Sequence, residues 1–312
     1  MTMLKSVFRA IGLGGRVGAS NLDLTEGELQ ANANFKVISS KPARPSAPRL
    51  LRSTFDVTSI ASEKLMEPDQ IQRQFDIVKV VGESKTATVS LARHIKTGER
   101  VAIKRHARKD RGDMHVYREA AIHAVMDHPN IASLRAFSEG SDYLYILQEY
   151  CAGGELFDAV VPDVGCTAHV ARSYILQLCK AMAYTHSRNI AHRDLKPENI
   201  MLSGDKKTVK LIDFGLSEAC IENQRYKQHI GTIPYMAVEL WAPAKDGYAI
   251  MDLKAIDVWA AGVVLYTMVC GRFPFAEATS RSPEFRRYKD GDFSQGPWGS
   301  IAREHPAAMP LL

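Results

Sequence analysis

Two short strings hold the residues best suited to chemistry: His192-Arg-Asp-Leu-Lys-Pro-Glu-Asn199 and, fourteen residues beyond Asn199, Asp213-Phe-Gly215. Moving a phosphoryl group asks little covalent help of a protein; it needs metal ions, positioned charge and an oriented hydroxyl. Asp194 offers an acceptor for a hydroxyl proton. Asn199 and Asp213 offer the hard oxygen ligands that Mg²⁺ prefers. Lys196 can neutralise a phosphate in motion. Asp-Phe-Gly alone carries no weight, because Asp and Gly are common in loops. The eight-residue string with Asp-Phe-Gly behind it is specific.

Such residues need elements to hold them. Asp76-Ile-Val-Lys-Val-Val81, Thr88-Val-Ser-Leu-Ala92 and Arg100-Val-Ala-Ile-Lys104 have strand length and composition, with Thr97-Gly98 as a turn between the last two. A helical pattern over 116–126 ends at His128-Pro-Asn. Two more strand-like runs, 131–137 and 143–148, precede Gly153-Gly154. Beyond that point helical periodicity dominates, at 168–186 and 256–270. A strand-rich part followed by a helix-rich part implies an α+β fold of two lobes with a cleft between them. Residues 1–74 differ: Gly, Ser, Asn, Pro and Ala dominate, and Lys41-Pro-Ala-Arg-Pro-Ser-Ala-Pro-Arg49 forbids regular structure. They are expected to form a disordered tail with a short helix near 62–65. The basic Arg49-Leu-Leu-Arg-Ser-Thr54 stretch is an inert linker, a phosphosite or a docking element.

With these strings in place, the chain from Phe75 onward resembles a eukaryotic protein kinase. Val101-Ala-Ile-Lys104 is similar to the strand whose lysine holds the α- and β-phosphates of ATP, and Glu119 to the helix glutamate that pairs with it. Glu149-Tyr-Cys151 resembles the hinge that binds adenine through its backbone, with Gln148 as gatekeeper. Asp257-Val-Trp-Ala-Ala-Gly262 resembles the core helix whose aspartate anchors the catalytic loop. Gly231-Thr-Ile-Pro-Tyr-Met-Ala-Val-Glu239 resembles the end of the activation segment. The resemblance implies a two-lobed kinase fold: an antiparallel-sheet N-lobe with one helix at 75–148, a hinge at 149–154 and a helical C-lobe at 155–312.

The resemblance also implies the site. Asp194, Lys196, Asn199 and Thr232 would be catalytic, and Asn199 and Asp213 would hold Mg²⁺. ATP would meet Val81, Gly82, Val89, Ala102, Lys104, Glu119, Gln148, Glu149, Cys151, Glu155 and Asp213. Lys196-Pro-Glu-Asn199 and Thr232 resemble serine/threonine rather than tyrosine kinases. Glu155 and Glu198 resemble acidic positions that receive arginines of a substrate; ribose contact or solvation is the other reading of Glu155. Glu149-Tyr-Cys-Ala-Gly-Gly-Glu-Leu-Phe157 and Ala276-Glu-Ala-Thr279 most resemble calcium/calmodulin-type kinases, although no autoinhibitory helix is legible. The implied partners are proteins with Ser/Thr acceptors, Arg/Lys-rich ones included, and the chain is expected to be a cytoplasmic monomer.

Departures bear on catalytic vigour. Gly82-Glu-Ser84-Lys-Thr-Ala87-Thr-Val89 keeps one glycine of the family's three. At about 1 kcal/mol per substitution, the rate would fall several-fold to roughly a hundredfold. Ala-Pro-Glu becomes Ala237-Val-Glu239, and the C-lobe is about 30 residues shorter than expected, so it reads as truncated. Glu239 would then be paired by another cation such as Arg303, be solvated, or belong to an incomplete gene product. His123 sits where an apolar residue is usual, as a tolerated histidine or a pH-sensitive one. The segment 216–230 offers Ser217 and Tyr226 but no threonine, so activity without activation-segment phosphorylation is expected. The run Lys104-Arg-His-Ala-Arg-Lys-Asp-Arg111 is expected to form a loop. The alternatives to an active kinase are a weakly nucleotide-binding kinase-like scaffold and, further off, a small-molecule kinase of related fold.

Bulk properties agree with a globular domain. Of 312 residues, 46% are hydrophobic and 24% charged, and the net charge of +5 is too small to imply nucleic-acid binding. Five cysteines without CxxC spacing suggest reduced thiols. The apolar run 258–270 is shorter than the ~20 residues a bilayer needs and reads as a buried helix, so no membrane span is expected. The first twenty residues carry three basic side chains and no acid. Organelle targeting is the alternative to a cytoplasmic address.

Overall fold

The computed structural model describes residues 60–84, 86–108, 113–244, 246–292, 294 and 299; those up to Gly291 belong to one unit, Ser53–Gly291. The proline run at 41–49, the basic stretch at 49–54 and Arg303 lie outside the described residues.

The chain enters the fold earlier than its composition suggests. Ser62–Lys64 makes one 3₁₀ turn, and α1 (Pro68–Gln74) follows with proline at its first position, where a missing N–H costs nothing. Ile60 packs with Val116 and Ala120 of α2 (Met114–Ala124) and with Phe137, while Ile71 packs with Val101, Ile103 and Leu147. Lys64 Nζ donates to the Ala124 carbonyl at the end of α2 (2.9 Å), and the Met66 amide to the Phe137 carbonyl (2.9 Å). The expectation of disorder through residue 74 is therefore corrected for 60–74. A polar average hid two isoleucines spaced to bury on different parts of the sheet. The short helix expected near 62–65 is the 3₁₀ turn.

The sheet runs β1 (Phe75–Glu83), β2 (Ala87–His94), β3 (Arg100–Ala107), β4 (Leu134–Glu139) and β5 (Tyr143–Glu149), in the order β1-β2-β3-β5-β4 with every neighbour antiparallel. Alternation assigns its faces: Val101 and Ile103 turn to the Ile71 cluster, leaving Ala102 and Lys104 on the opposite face. Lys104 to Ala107 belong to β3, so the first half of the basic run is strand rather than loop; 109–112 lie outside the described residues.

The second lobe is built on α3 (Ala168–Ser187) and α4 (Leu253–Cys270). Thr167 caps α3 by accepting from the Val170 amide, and Asp252 caps α4 by accepting from Lys254 and Ala255. Gly271, at φ 67°, ends α4 in the left-handed conformation that glycine adopts without strain. By length and composition α4 could cross a membrane, and 61% of it is buried within the fold. Short hairpins complete the lobe: β6 (Ile190–Ala191) pairs β9 (Glu218–Ala219), β7 (Ile200–Leu202) pairs β8 (Val209–Leu211), and β10 (Arg225–Lys227) pairs β11 (Tyr248–Ile250). The helix α5 (Pro283–Lys289) packs Phe285 and Tyr288 around Trp259 and Phe275. All five cysteines are free thiols.

Candidate active site

Strand register assembles one wall of the cleft. Gly82 pairs with Val89, Val89 with Lys104, and Ala102 with Gln148. Cross-strand partners share a face, so these five of the expected ATP-contacting residues are brought together by the ladder itself. Val81 falls at the register shift between Val80 and Gly82 and is exposed. The turn after β1 is closed by Ser84, whose Oγ accepts from the Ala87 amide (3.0 Å) and donates to its carbonyl (3.1 Å). Neither Ser84 nor Ala87 has positive φ, so both positions accept a side chain here without backbone strain.

Lys104 projects from this wall into two carboxylates. Its Nζ lies 2.7 Å from Glu119 Oε1 on α2 and 3.0 Å from Asp213 Oδ1. Burial alone would favour the neutral amine, but Glu119 and then Asp213 overcome it and raise the lysine pKa. Asp213 is likewise desolvated, and Lys104 more than compensates, holding its carboxyl below the usual range. Asp213 Oδ1 also accepts from the Gly215 amide (3.2 Å). Phe214 is fully buried, its ring 5.1 Å from His123 and 5.3 Å from His192. His123 hydrogen-bonds the Ala132 carbonyl through Nε2 (2.6 Å), and burial lowers its pKa to about 4.

The catalytic-loop string forms one network. Asp194 Oδ1 accepts from Thr232 Oγ1 (2.8 Å), and its Oδ2 accepts from Asn199 Nδ2 (3.0 Å) and pairs with Lys196 Nζ (2.9 Å). Lys196 also donates to Thr232 Oγ1 (2.9 Å). Asn199 commits its amide nitrogen to Asp194, through both the carbonyl and Oδ2, which leaves its Oδ1 as an oxygen donor facing elsewhere. Beneath the loop, the fully buried Asp257 accepts from the His192 amide (2.8 Å), the Arg193 amide (2.8 Å) and His186 Nε2 (2.7 Å). Arg193 and Asp213 both adopt positive φ, 68° and 62°. Gly231, at φ 115°, brings Thr232 in; a Cβ there would lie 2.8 Å from the Arg193 carbonyl.

At the hinge, the Glu149 side chain turns to Lys210 (2.9 Å), and Cys151 is buried. Among the described residues no backbone hydrogen bond involves the Cys151 amide or carbonyl, so both are available to a ligand. Glu155 bridges to Met201 beside the catalytic loop; burial, then Asp158 and Glu198, raise its pKa. Glu198 buries Oε2, and Tyr235 its hydroxyl, without a hydrogen-bond partner. Ser217 is buried against the His192 carbonyl, and the buried Tyr226 hydroxyl bonds the Ala219 carbonyl and the Ile221 amide. Glu239 is half-buried and has no ion pair among the described residues. Sequence reasoning missed Arg118 and Glu218, which form an ion pair (2.9 Å) beside Arg193; no motif marks either.

A lysine held by a helix carboxylate, an Asn/Asp pair of free oxygens and an aspartate steadied by lysine and threonine make one constellation, and the protein kinase domain family matches residues 75–300. The chain belongs to the protein kinase family. Its similarity extends to Calcium-dependent protein kinase 5 of Plasmodium berghei (strain Anka), 34% identical over 244 residues, covering 77% of this chain and 42% of that protein. Sperm motility kinase 3A of Mus musculus is 37% identical over 231 residues, 74% of this chain and 44% of that protein. Serine/threonine-protein kinase grp of Drosophila melanogaster is 37% identical over 235 residues, 72% of this chain and 44% of that protein. The chain thus spans less than half the length of these relatives. The two-lobed α+β kinase fold and the serine/threonine-type resemblance read from the sequence both stand.

Proposed function

We propose that this kinase domain transfers the γ-phosphate of ATP to serine or threonine hydroxyls of protein substrates. The observation that carries the reading is the Asp194–Lys196–Thr232–Asn199 network lying with an intact Lys104–Glu119 ion pair in one cleft. Lys104 is placed to take phosphate oxygens without moving far, because Glu119 holds its ammonium and keeps it charged. Asp194 accepts the proton of an incoming hydroxyl. Thr232 and Lys196 fix its carboxylate so that little reorganisation is needed when that hydroxyl arrives. Lys196 also offsets negative charge developing on the transferred group.

The residues fit Mg²⁺. Asn199 Oδ1 and the Asp213 carboxylate are hard oxygen donors, and no cluster of three or more His, Cys, Asp or Glu suited to a metal is present among the described residues. Two protein ligands complemented by phosphate oxygens is the arrangement Mg²⁺ favours over an all-protein cage. When bound with ATP, the ion neutralises and aligns the phosphates. The backbone N–H and C=O of Cys151, which have no backbone partner among the described residues, suit the edge of adenine.

A basic substrate follows from charge. Glu155, Asp158 and Glu198 place negative charge near Lys196, which the guanidinium of a basic substrate would complement. A peptide array indifferent to arginine placement would reject this preference. Activity without activation-segment phosphorylation is part of the same reading, supported by the burial of Ser217 and Tyr226; loss of activity on phosphatase treatment would reject it.

The decisive experiment is ³²P transfer from Mg-ATP to a basic peptide by the purified chain, beside Asp194→Asn. The wild type is expected to label the peptide, and the variant to lose about 100- to 10,000-fold in rate with its fold retained. A folded wild type that transfers nothing would favour the scaffold reading instead.

A further inference from the structure

Arg118 and Arg193 sit on different elements, and each adjoins a residue the chemistry requires. Arg118 precedes Glu119 on α2; Arg193 precedes Asp194 in the catalytic loop. Both guanidinium groups point at one oxygen. Glu218 Oε2 lies 2.9 Å from Arg118 Nη1 and 3.7 Å from Arg193 Nη1. The Arg193 side chain is 6% exposed and that of Glu218 20%. That of Arg118 is 29% exposed, so the cluster is buried on the Arg193 side and reaches water on the Arg118 side. Two partly buried cations converge there, and one carboxylate reconciles them.

Backbone pairing fixes where that carboxylate stands. Glu218 is the first residue of β9, directly across the ladder from Ala191 of β6, which leads into His192 and the loop. Arg193 is further held by its Nη2 bond to the Lys227 carbonyl (3.1 Å), next to the hairpin that buries Tyr226. Neutralising Glu218 would leave like charges opposed. The element free to yield is α2, a helix of three turns resting on the sheet, rather than the loop anchored by Asp257. A yielding α2 carries Glu119 away from Lys104.

We propose that Glu218 is a positioning residue whose carboxylate joins α2 to the catalytic loop through Arg118 and Arg193, keeping Glu119 and Asp194 in register without any phosphorylated side chain. The inference rests on the kinase reading for its effect on rate, but its effect on structure can be measured separately. The full chain would be compared as wild type, Glu218→Gln, Arg118→Gln and the double variant, by segment-resolved hydrogen exchange and by peptide phosphorylation.

Glu218→Gln is expected to speed exchange about tenfold in 114–124 and to lower kcat about tenfold, with α3 at 168–187 unchanged. The double variant should lose little beyond either single change, because both remove the same link. Glu218→Asp should recover part of both signals. Exchange that rises equally in α3, exchange that does not change, or fully additive losses in the double variant would each overturn the proposal. A wild type that transfers no phosphate while Glu218→Gln still loosens 114–124 selectively would reject the kinase activity and support the link.

Discussion

At the residue scale, the site is defined by carboxylates whose partners differ. Asp257 has three donors and no solvent, so its role is to hold the loop backbone. Asp257→Ala would strand two buried amides. We expect a loss of about 3–5 kcal/mol, read as a shift in the denaturant midpoint, against a total of about 5–15. His123 makes the other residue-scale prediction. Burial first, with Lys64 and Lys104 adding to it, holds its folded pKa at about 4, below the ordinary value of 6.5; the Ala132 hydrogen bond and Asp213 act the other way. Between those values the unfolded chain binds a proton that the folded chain does not, so stability falls as pH drops from 6.5 to 4. The contribution is present in full above 6.5 and amounts to about 3 kcal/mol. His123→Leu should flatten this part of the stability-versus-pH curve; an unchanged slope would show that the ring does not titrate so. Residue identity had located His123 behind Glu119, but only packing shows its ring against Phe214.

At the element scale, residues 60–74 behave as a strap over the N-lobe. Ile60 is 4% exposed and touches the cluster that seats α2. Ile60→Ala should cost about 2–5 kcal/mol, by transfer and cavity together, and a thermal melt would register it. A loss under half a kcal/mol would mean that the strap is dispensable. The strands, α2 and both long helices were legible because their periods of 2 and 3.6 are written in the apolar positions. The strap was not. Its burial depends on two isolated isoleucines meeting surfaces far along the chain, which no local window contains. Ser84 makes the same point in reverse: its departure from glycine is visible in sequence, while its hydrogen bonds to Ala87 belong to the folded turn.

At the scale of the whole molecule, the cleft exists only when the sheet, α2 and the catalytic loop are assembled, so ligand and fold should stabilise each other. Mg-ATP at a hundredfold excess over its Kd adds about 2.7 kcal/mol. For a chain of this size we expect a rise in Tm of roughly 5–10 °C. Chelating the metal, or Asp213→Asn, should remove most of that rise; no shift in the wild type would argue against a competent nucleotide site. The sequence alone determined the family and the order of the lobes, and it singled out Lys104, Glu119, Asp194, Asn199 and Asp213 as the proposed site. Those follow from residue type and spacing, and chemistry restricts both. The resemblance already paired Lys104 with Glu119; tertiary structure added the contacts that no motif marks. Lys104 reaches Glu119 fifteen residues away and Asp213 over a hundred away, while Glu218 binds Arg118 and Arg193 from a strand two residues long. Such pairings are set by where the folded backbone places each side chain and by how far burial removes water from between them.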